Sequence, residues 1–118
     1  MFKVYWGPTT SNPLISTTAL QTDVWYHIVI TWDGNNIKLF INGTEEDSQV
    51  KTSINNSTQT LKIGAYINAS QTAYVGELNG QVSQACLFDY ALDSTQINYL
   101  YNLNNPMVIS GGEPVAYW

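Results

Sequence analysis

The chain has 118 residues, 44% of them hydrophobic and 13% aromatic, which is enough to fill a single hydrophobic core. Only 11% are charged, none is Arg, and the net charge is −5. This sign repels phosphate backbones and anionic lipid headgroups, so we expect no nucleic-acid partner and no membrane partner. No apolar run reaches the roughly 20 residues of a membrane helix, and we expect no signal peptide because the N-terminus lacks the basic and then apolar pattern. The single cysteine, Cys86, excludes an internal disulfide and a cysteine-based zinc site.

The first predicted strands lie in the N-terminal third of the chain. Residues 2–6 alternate between polar and apolar and predict a strand, and residues 14–20 form a weaker one. The strongest pattern is WYHIVITW at residues 25–32, where every residue except His27 is aromatic or β-branched. Both faces of this segment are apolar, which predicts a central strand that is covered on both sides and holds its two tryptophans in the core.

Two turn signals follow and predict a three-stranded meander. Residues 33–36 (DGNN) are typical of a tight turn, because Gly and Asn tolerate positive φ at little cost. The return strand, residues 37–41, ends at Asn42-Gly43, which is a type I′ turn signal. The polar segment from Thr44 onward predicts an edge strand.

The second half of the chain predicts further short strands and one helix. Strand patterns occur at residues 61–66, 74–78 and 80–90, the last with a bend or bulge, and short strands at regular spacing indicate a β-sandwich. A short helix is predicted near residues 94–101, because Asp93 and Gln96 form a capping box ahead of an apolar stripe.

Three stretches in order resemble a known family. They are WYHIVITWDG at residues 25–34, IKLFING at residues 37–43, and the run from LKIG through GELNGQV to FDYALD at residues 61–93. Together they are similar to the laminin G-like jelly-roll domain of the concanavalin A-like lectin/glucanase superfamily. The resemblance implies an all-β fold, an antiparallel β-sandwich of the concanavalin A-like jelly-roll type with one short helix.

The match departs from the family at both ends. The opening strands of such a domain are missing, and a sequence similar to the first of them, VAYW, stands at residues 115–118. We therefore expect residues 1–118 to form a single domain taken from a longer repeated protein, with the tail 106–118 as the first strand of a following repeat. The alternative is a circularly permuted unit whose tail closes its own sheet. A missing strand leaves an open sheet edge, so self-association through that edge is expected.

The sequence predicts no catalytic residues. Glucanases of this superfamily carry Glu-x-Asp-x-x-Glu on one strand, and the nearest match here, residues 45–50 (EEDSQV), has Val50 in place of the acid/base. A solvated acidic edge strand explains this segment. His27, the only histidine, lies in mid-strand and is expected to pack in or beside the core, which leaves no Ser-His-Asp site and no zinc site.

Calcium binding remains open from the sequence. Many lectin-like sandwiches bind calcium through carboxylates and carbonyls, yet no Asp-x-Asp-x-Asp loop occurs here. The turn accounts for Asp33 and the helix cap for Asp93, so no ligand set is defined. The acidic candidates are Asp23, Asp33, Asp47, Glu77, Asp89 and Asp93.

A candidate carbohydrate site lies around the loop 69–73. Sugar recognition needs an exposed aromatic ring with amides beside it, and Tyr66, Asn68 and Tyr74 flank this loop. The alternative is that the two tyrosines only pack across the strands.

The sequence therefore predicts a non-catalytic module that binds a carbohydrate or glycoprotein and belongs to a larger extracellular or virion surface protein. The first alternative is a purely structural spacer or stalk unit in an adhesin or a phage-like appendage. A glucanase-like hydrolase is a minor third alternative, because its catalytic motif is incomplete.

Overall fold

The computed structural model describes residues 1–5, 12–54, 62–67, 74–103 and 105–118. Every strand pair in these residues is antiparallel, which confirms the predicted all-β class with one short helix. In chain order the elements are β1 (Lys3–Val4), β2 (Leu14–Ile15), β3 (Ile28–Trp32), β4 (Asn36–Ile41), β5 (Thr44–Val50), β6 (Tyr66–Ile67), β7 (Tyr74–Val75), β8 (Cys86–Leu87), α1 (Ser94–Leu103), a 3₁₀ helix (Pro106–Val108) and β9 (Ala116–Tyr117).

The main sheet is the predicted meander, in the order β3-β4-β5. Its first turn is closed by Asp33, whose carboxylate accepts hydrogen bonds from the N–H groups of Asn35 (2.8 Å) and Asn36 (2.7 Å). Its second turn has Asn42 at φ 50° and Gly43 at φ 82°, the two left-handed residues that a type I′ turn requires. Both predicted turns are confirmed.

The position of the strongest predicted strand differs from the expectation. β3 begins at Ile28, and within the described residues it pairs only with β4, so it is an edge strand and β4 is the central one. Trp25 precedes the strand and is 63% exposed, so its predicted place in the core is wrong. An apolar pattern predicts that a segment forms a strand. The position of that strand in the sheet depends on partner strands that are distant in sequence.

β4 separates two buried clusters. Leu39 and Ile41 point to one face of the sheet and Phe40 to the other, because successive strand residues alternate. On the first face β1 and β2 cover the sheet, and on the second face α1 does. The first cluster comprises Leu14, Ile37, Leu39 and Ile41, and the second comprises Phe40, Leu92, Ile97, Leu100 and Ile109.

The helix begins as the sequence predicts. Asp93 accepts a hydrogen bond from the Gln96 N–H (2.8 Å), and the Gln96 side chain accepts one from the Asp93 N–H (2.9 Å), which completes the capping box. The helix extends beyond the predicted residue 101 to Leu103.

The C-terminal tail pairs with a strand of its own chain. β9 pairs with β8, and beyond the strands the N–H groups of Ala85 and Trp118 each donate to the other's carbonyl, at 3.0 and 2.8 Å. Of the strand predicted over residues 80–90, the described structure pairs Cys86–Leu87, and the left-handed φ of 54° at Gln84 bends the backbone just before it, where the sequence predicts a bend or bulge. The derivation of this tail from a repeat stays a prediction.

Candidate functional site

The acidic segment that resembles a glucanase strand serves a structural purpose. Between β4 and β5, Leu39 pairs with Asp47 and Phe40 pairs with Glu45. Glu46 of β5 therefore has no partner in β4 and is the extra residue of a β-bulge. The bulge allows neighbouring carboxylates to reach the same segment, residues 13–18. Asp47 accepts from the Ile15 N–H at 2.8 Å. These carboxylates therefore fasten the β1–β2 hairpin to the main sheet.

Glu46 makes two contacts with one residue that follows β2. Its carboxylate accepts hydrogen bonds from the Thr18 hydroxyl and from the Thr18 N–H (3.0 Å). Partial desolvation raises the pKa of Glu46, but the hydrogen bonds from Thr18 and Thr17 outweigh it and leave the pKa below its usual value. Glu45 lies apart from these contacts, in a surface ion pair with Lys38 at 2.9 Å. The three acidic residues are thus oriented by structural partners: Glu46 by Thr18, Asp47 by Ile15 and Glu45 by Lys38.

His27 lies beside the core, as predicted. Its ring packs against Tyr101 with centroids 5.9 Å apart, and its buried Nδ1 atom has no hydrogen-bond partner. Burial lowers the pKa of His27 below 6.5. Its backbone N–H donates to the side chain of Asn42 at 2.9 Å, so the residue is held by the second turn of the meander.

Three of the acidic calcium candidates have structural roles in the part of the chain that the structure describes. No group of three or more His, Cys, Asp or Glu side chains there is arranged to hold a metal ion. Asp33 is committed to its turn, where hydrogen bonds from the Asn36 and Asn35 N–H groups lower its pKa. Asp47 is committed to Ile15 and Asp93 to the helix cap. The carboxylates of these three candidates therefore already accept hydrogen bonds from groups within the fold.

The candidate carbohydrate site is centred on the β6–β7 ribbon. Tyr66 pairs with Val75 and Ile67 pairs with Tyr74, so the tyrosines stand on adjacent strands but are not cross-strand partners. At the end of the ribbon away from the loop, the Leu78 N–H donates to the Gly64 carbonyl at 2.7 Å and joins the two segments that flank the strands. Asn68 and the loop 69–73 lie outside the described residues, and the assignment of the three residues to a site stays a prediction.

Sequence reasoning missed an exposed aromatic residue at the start of the main sheet. Trp25 follows a turn in which Asp23 has a left-handed φ of 61°. The Thr22-Asp23 pair is a weak turn signal. It is the one sequence feature that could have indicated that the strand begins after Trp25. Two further exposed rings, Tyr117 and Trp118, end the chain beside β8.

The fold and the comparisons with known proteins define the class. Two layers on either side of an antiparallel meander, with a short capped helix, are typical of a lectin-type β-sandwich. A laminin G family model, described as the concanavalin A-like lectin/glucanases superfamily, matches residues 1–98. The chain belongs to this family, which fits a binding or structural module. No curated protein matches the sequence.

Among solved structures, the chain is similar to an S-layer domain-containing protein (residues 221–444) from Clostridium thermocellum ATCC 27405. The TM-score is 0.59 at 25% sequence identity. The similarity covers 73% of this chain and 43% of the other, so this chain spans less than half of that structure's length. Within the described residues, no helix is long and apolar enough to cross a membrane.

Proposed function

We propose that this domain is a non-catalytic carbohydrate-binding module of a larger extracellular or virion surface protein, and that the sugar binds at the β6–β7 ribbon. The observation that carries the proposal is the register of that ribbon. It places Tyr66 and Tyr74 at diagonal positions on two adjacent strands, at the root of one loop. Aromatic rings at such a rim are suited to stack on a sugar face, and Asn68 would supply an amide for its hydroxyls.

The engagement of the acidic segment of β5 in structural contacts supports binding rather than hydrolysis. Glu46 and Asp47 are held by the hairpin at Thr18 and Ile15, and Glu45 is held by Lys38. A retaining glycosidase needs two carboxyl groups about 5 Å apart across the scissile bond. In this segment the position of the second group is taken by Val50.

A glycan array, probed with and without calcium, tests the proposal. We expect binding to a defined glycan class that is independent of calcium. Tyr66→Ala and Tyr74→Ala should each weaken it at least about tenfold, which corresponds to about 1.4 kcal/mol. Tyr5→Ala is the matched control, because Tyr5 is 52% exposed and directly follows β1. Silence across the array, or equal losses in all three variants, would refute the proposal.

A structural spacer is the second candidate. It is favoured by the similarity to an S-layer domain-containing protein. The two candidates separate on the same array, because a spacer gives no signal with any glycan. Glucan hydrolysis by the purified domain would instead support the hydrolase alternative.

A further inference from the structure

The sequence contains two Asn-Gly pairs, Asn42-Gly43 and Asn79-Gly80. In such a pair the backbone nitrogen of the glycine can attack the side-chain carbonyl carbon of the asparagine, because glycine has no Cβ to block the approach. The attack requires an asparagine side chain and a backbone that are both able to rotate until the two atoms meet. The surroundings of each pair therefore decide whether it can react.

The Asn42-Gly43 pair is held by several contacts. The Asn42 side chain accepts a hydrogen bond from the His27 N–H at 2.9 Å, and the Asn42 N–H donates to the His27 carbonyl at 2.8 Å. Both residues of the pair have the left-handed φ of a type I′ turn. Gly43 also lies against α1, where an added Cβ would be 2.6 Å from the Asn98 side-chain oxygen. Ring closure at Asn42 would have to break the hydrogen bond to His27 and distort this turn.

The Asn79-Gly80 pair is in a different environment. Both residues are exposed and lie in a bend after β7, outside the helices and strands. The φ of Gly80 is not left-handed, and an added Cβ would meet only the Leu78 side chain, at an ordinary contact distance of 3.6 Å. The last backbone hydrogen bond before the pair runs from the Leu78 N–H to the Gly64 carbonyl. Among the described residues, neither the Asn79 side chain nor the Gly80 N–H has a hydrogen-bond partner.

We propose that Asn79 is a site of spontaneous deamidation and that the fold protects Asn42 from the same reaction. The Gly80 nitrogen gives up its proton and bonds to the side-chain carbon of Asn79, and the bond from that carbon to the amide nitrogen breaks and releases ammonia. Water then hydrolyses the cyclic imide at either of its carbonyl groups, which yields aspartate or isoaspartate. Each event adds a negative charge to the net charge of −5. This proposal is independent of the proposed function.

Peptide mapping by mass spectrometry tests the proposal. The folded chain is incubated in mildly alkaline buffer made with water enriched in heavy oxygen, so that each hydrolysed ring leaves a label at its own position. We expect the label to appear at Asn79 at least about tenfold faster than at Asn42, which corresponds to about 1.4 kcal/mol of activation free energy. The rate at Asn79 should rise with pH, because the Gly80 nitrogen attacks after it loses its proton.

Two controls separate the chemistry from the fold. Gly80→Ala should slow labelling at Asn79, because its methyl group hinders the attack, and circular dichroism should match the parent, because the structure has room for that group. In urea the turn at Asn42 is lost, so the two asparagines should be labelled at similar rates. Equal rates in the folded chain, faster labelling at Asn42, an unchanged rate at Asn79 in Gly80→Ala, or an Asn42 that stays unreactive in urea would each overturn the proposal.

Discussion

Glu45, Glu46 and Asp47 illustrate how three adjacent acidic residues can have different roles. Glu45 forms an exposed ion pair with Lys38, whereas Glu46 and Asp47 hold backbone groups of the hairpin. The bulge causes this difference, because it turns Glu46 toward residues 15–18, the segment that Asp47 also contacts. The sequence could show that the glucanase pattern was incomplete, but it could not show which partners the acidic residues have.

We predict that Glu46→Ala destabilises the fold more than Glu45→Ala. Glu46 accepts two hydrogen bonds from Thr18, and their loss should lower the free energy of unfolding by about 1–2 kcal/mol. Glu45 belongs to a surface pair, whose loss should cost about 0.5 kcal/mol or less. Urea denaturation of the two variants checks the order, and an equal effect would show that Glu46 does not fasten the hairpin.

His27 predicts a pH dependence of stability. Because burial lowers its folded-state pKa below 6.5, the unfolded chain takes up a proton first as the pH falls. The free energy of unfolding should therefore hold steady above about pH 6.5 and decline below it, until the folded-state pKa is passed.

Urea denaturation at a series of pH values measures this decline. His27→Gln should remove it, while the decline at more acidic pH, where Asp33 and Glu46 lose their charge, should remain because their pKa values are also lowered by folding. A parent profile that shows no decline from about pH 6.5 down to the acidic region would contradict the buried, neutral His27.

At the scale of elements, the two glycines in the turns of the meander form a matched pair. Both have left-handed φ, 92° at Gly34 and 82° at Gly43. A Cβ at Gly34 would meet nothing within 4 Å, whereas one at Gly43 would lie 2.6 Å from the Asn98 side-chain oxygen in α1. The second turn is thus packed against α1 at Gly43, whereas a side chain at Gly34 in the first turn would meet no neighbouring atom.

We predict that Gly34→Ala costs about 1 kcal/mol from backbone strain alone. Gly43→Ala should cost about 1 kcal/mol more, because Asn98 must also move. Thermal or urea unfolding gives both values. Adding Asn98→Ala should recover part of the Gly43→Ala loss and none of the Gly34→Ala loss, and recovery in both would show that the helix contact is not the cause.

The elements that the sequence predicted correctly depend on local chemistry. The turns at Asp33 and Asn42 and the capping box at Asp93 are made by residues within four positions of one another. The incorrect predictions concern strand order and exposure. Trp25 and Ile30 are apolar in a strand-like segment, yet they are exposed because no described strand lies beyond β3.

At the scale of the molecule, the chain is a lectin-type sandwich with unequal edges. β5 is protected by charge and a bulge, and β9 closes on β8, while among the described residues β3 pairs only with β4 and carries the exposed side chains of Ile28 and Ile30. The family could be recognised from three sequence stretches, because their turn residues and spacing are specific. The candidate site could be located only as a pair of strands flanking a loop, since ligand contacts depend on side-chain geometry that a strand pattern does not encode.

Nuclear magnetic resonance titration with a glycan identified on the array tests the proposed site most directly. We predict that the backbone amides that shift on binding cluster at Tyr66–Ile67 and Tyr74–Val75. Shifts confined to the β3 edge, or to Tyr117 and Trp118 at the β8–β9 sheet, would contradict the assignment of the sugar site to the β6–β7 ribbon.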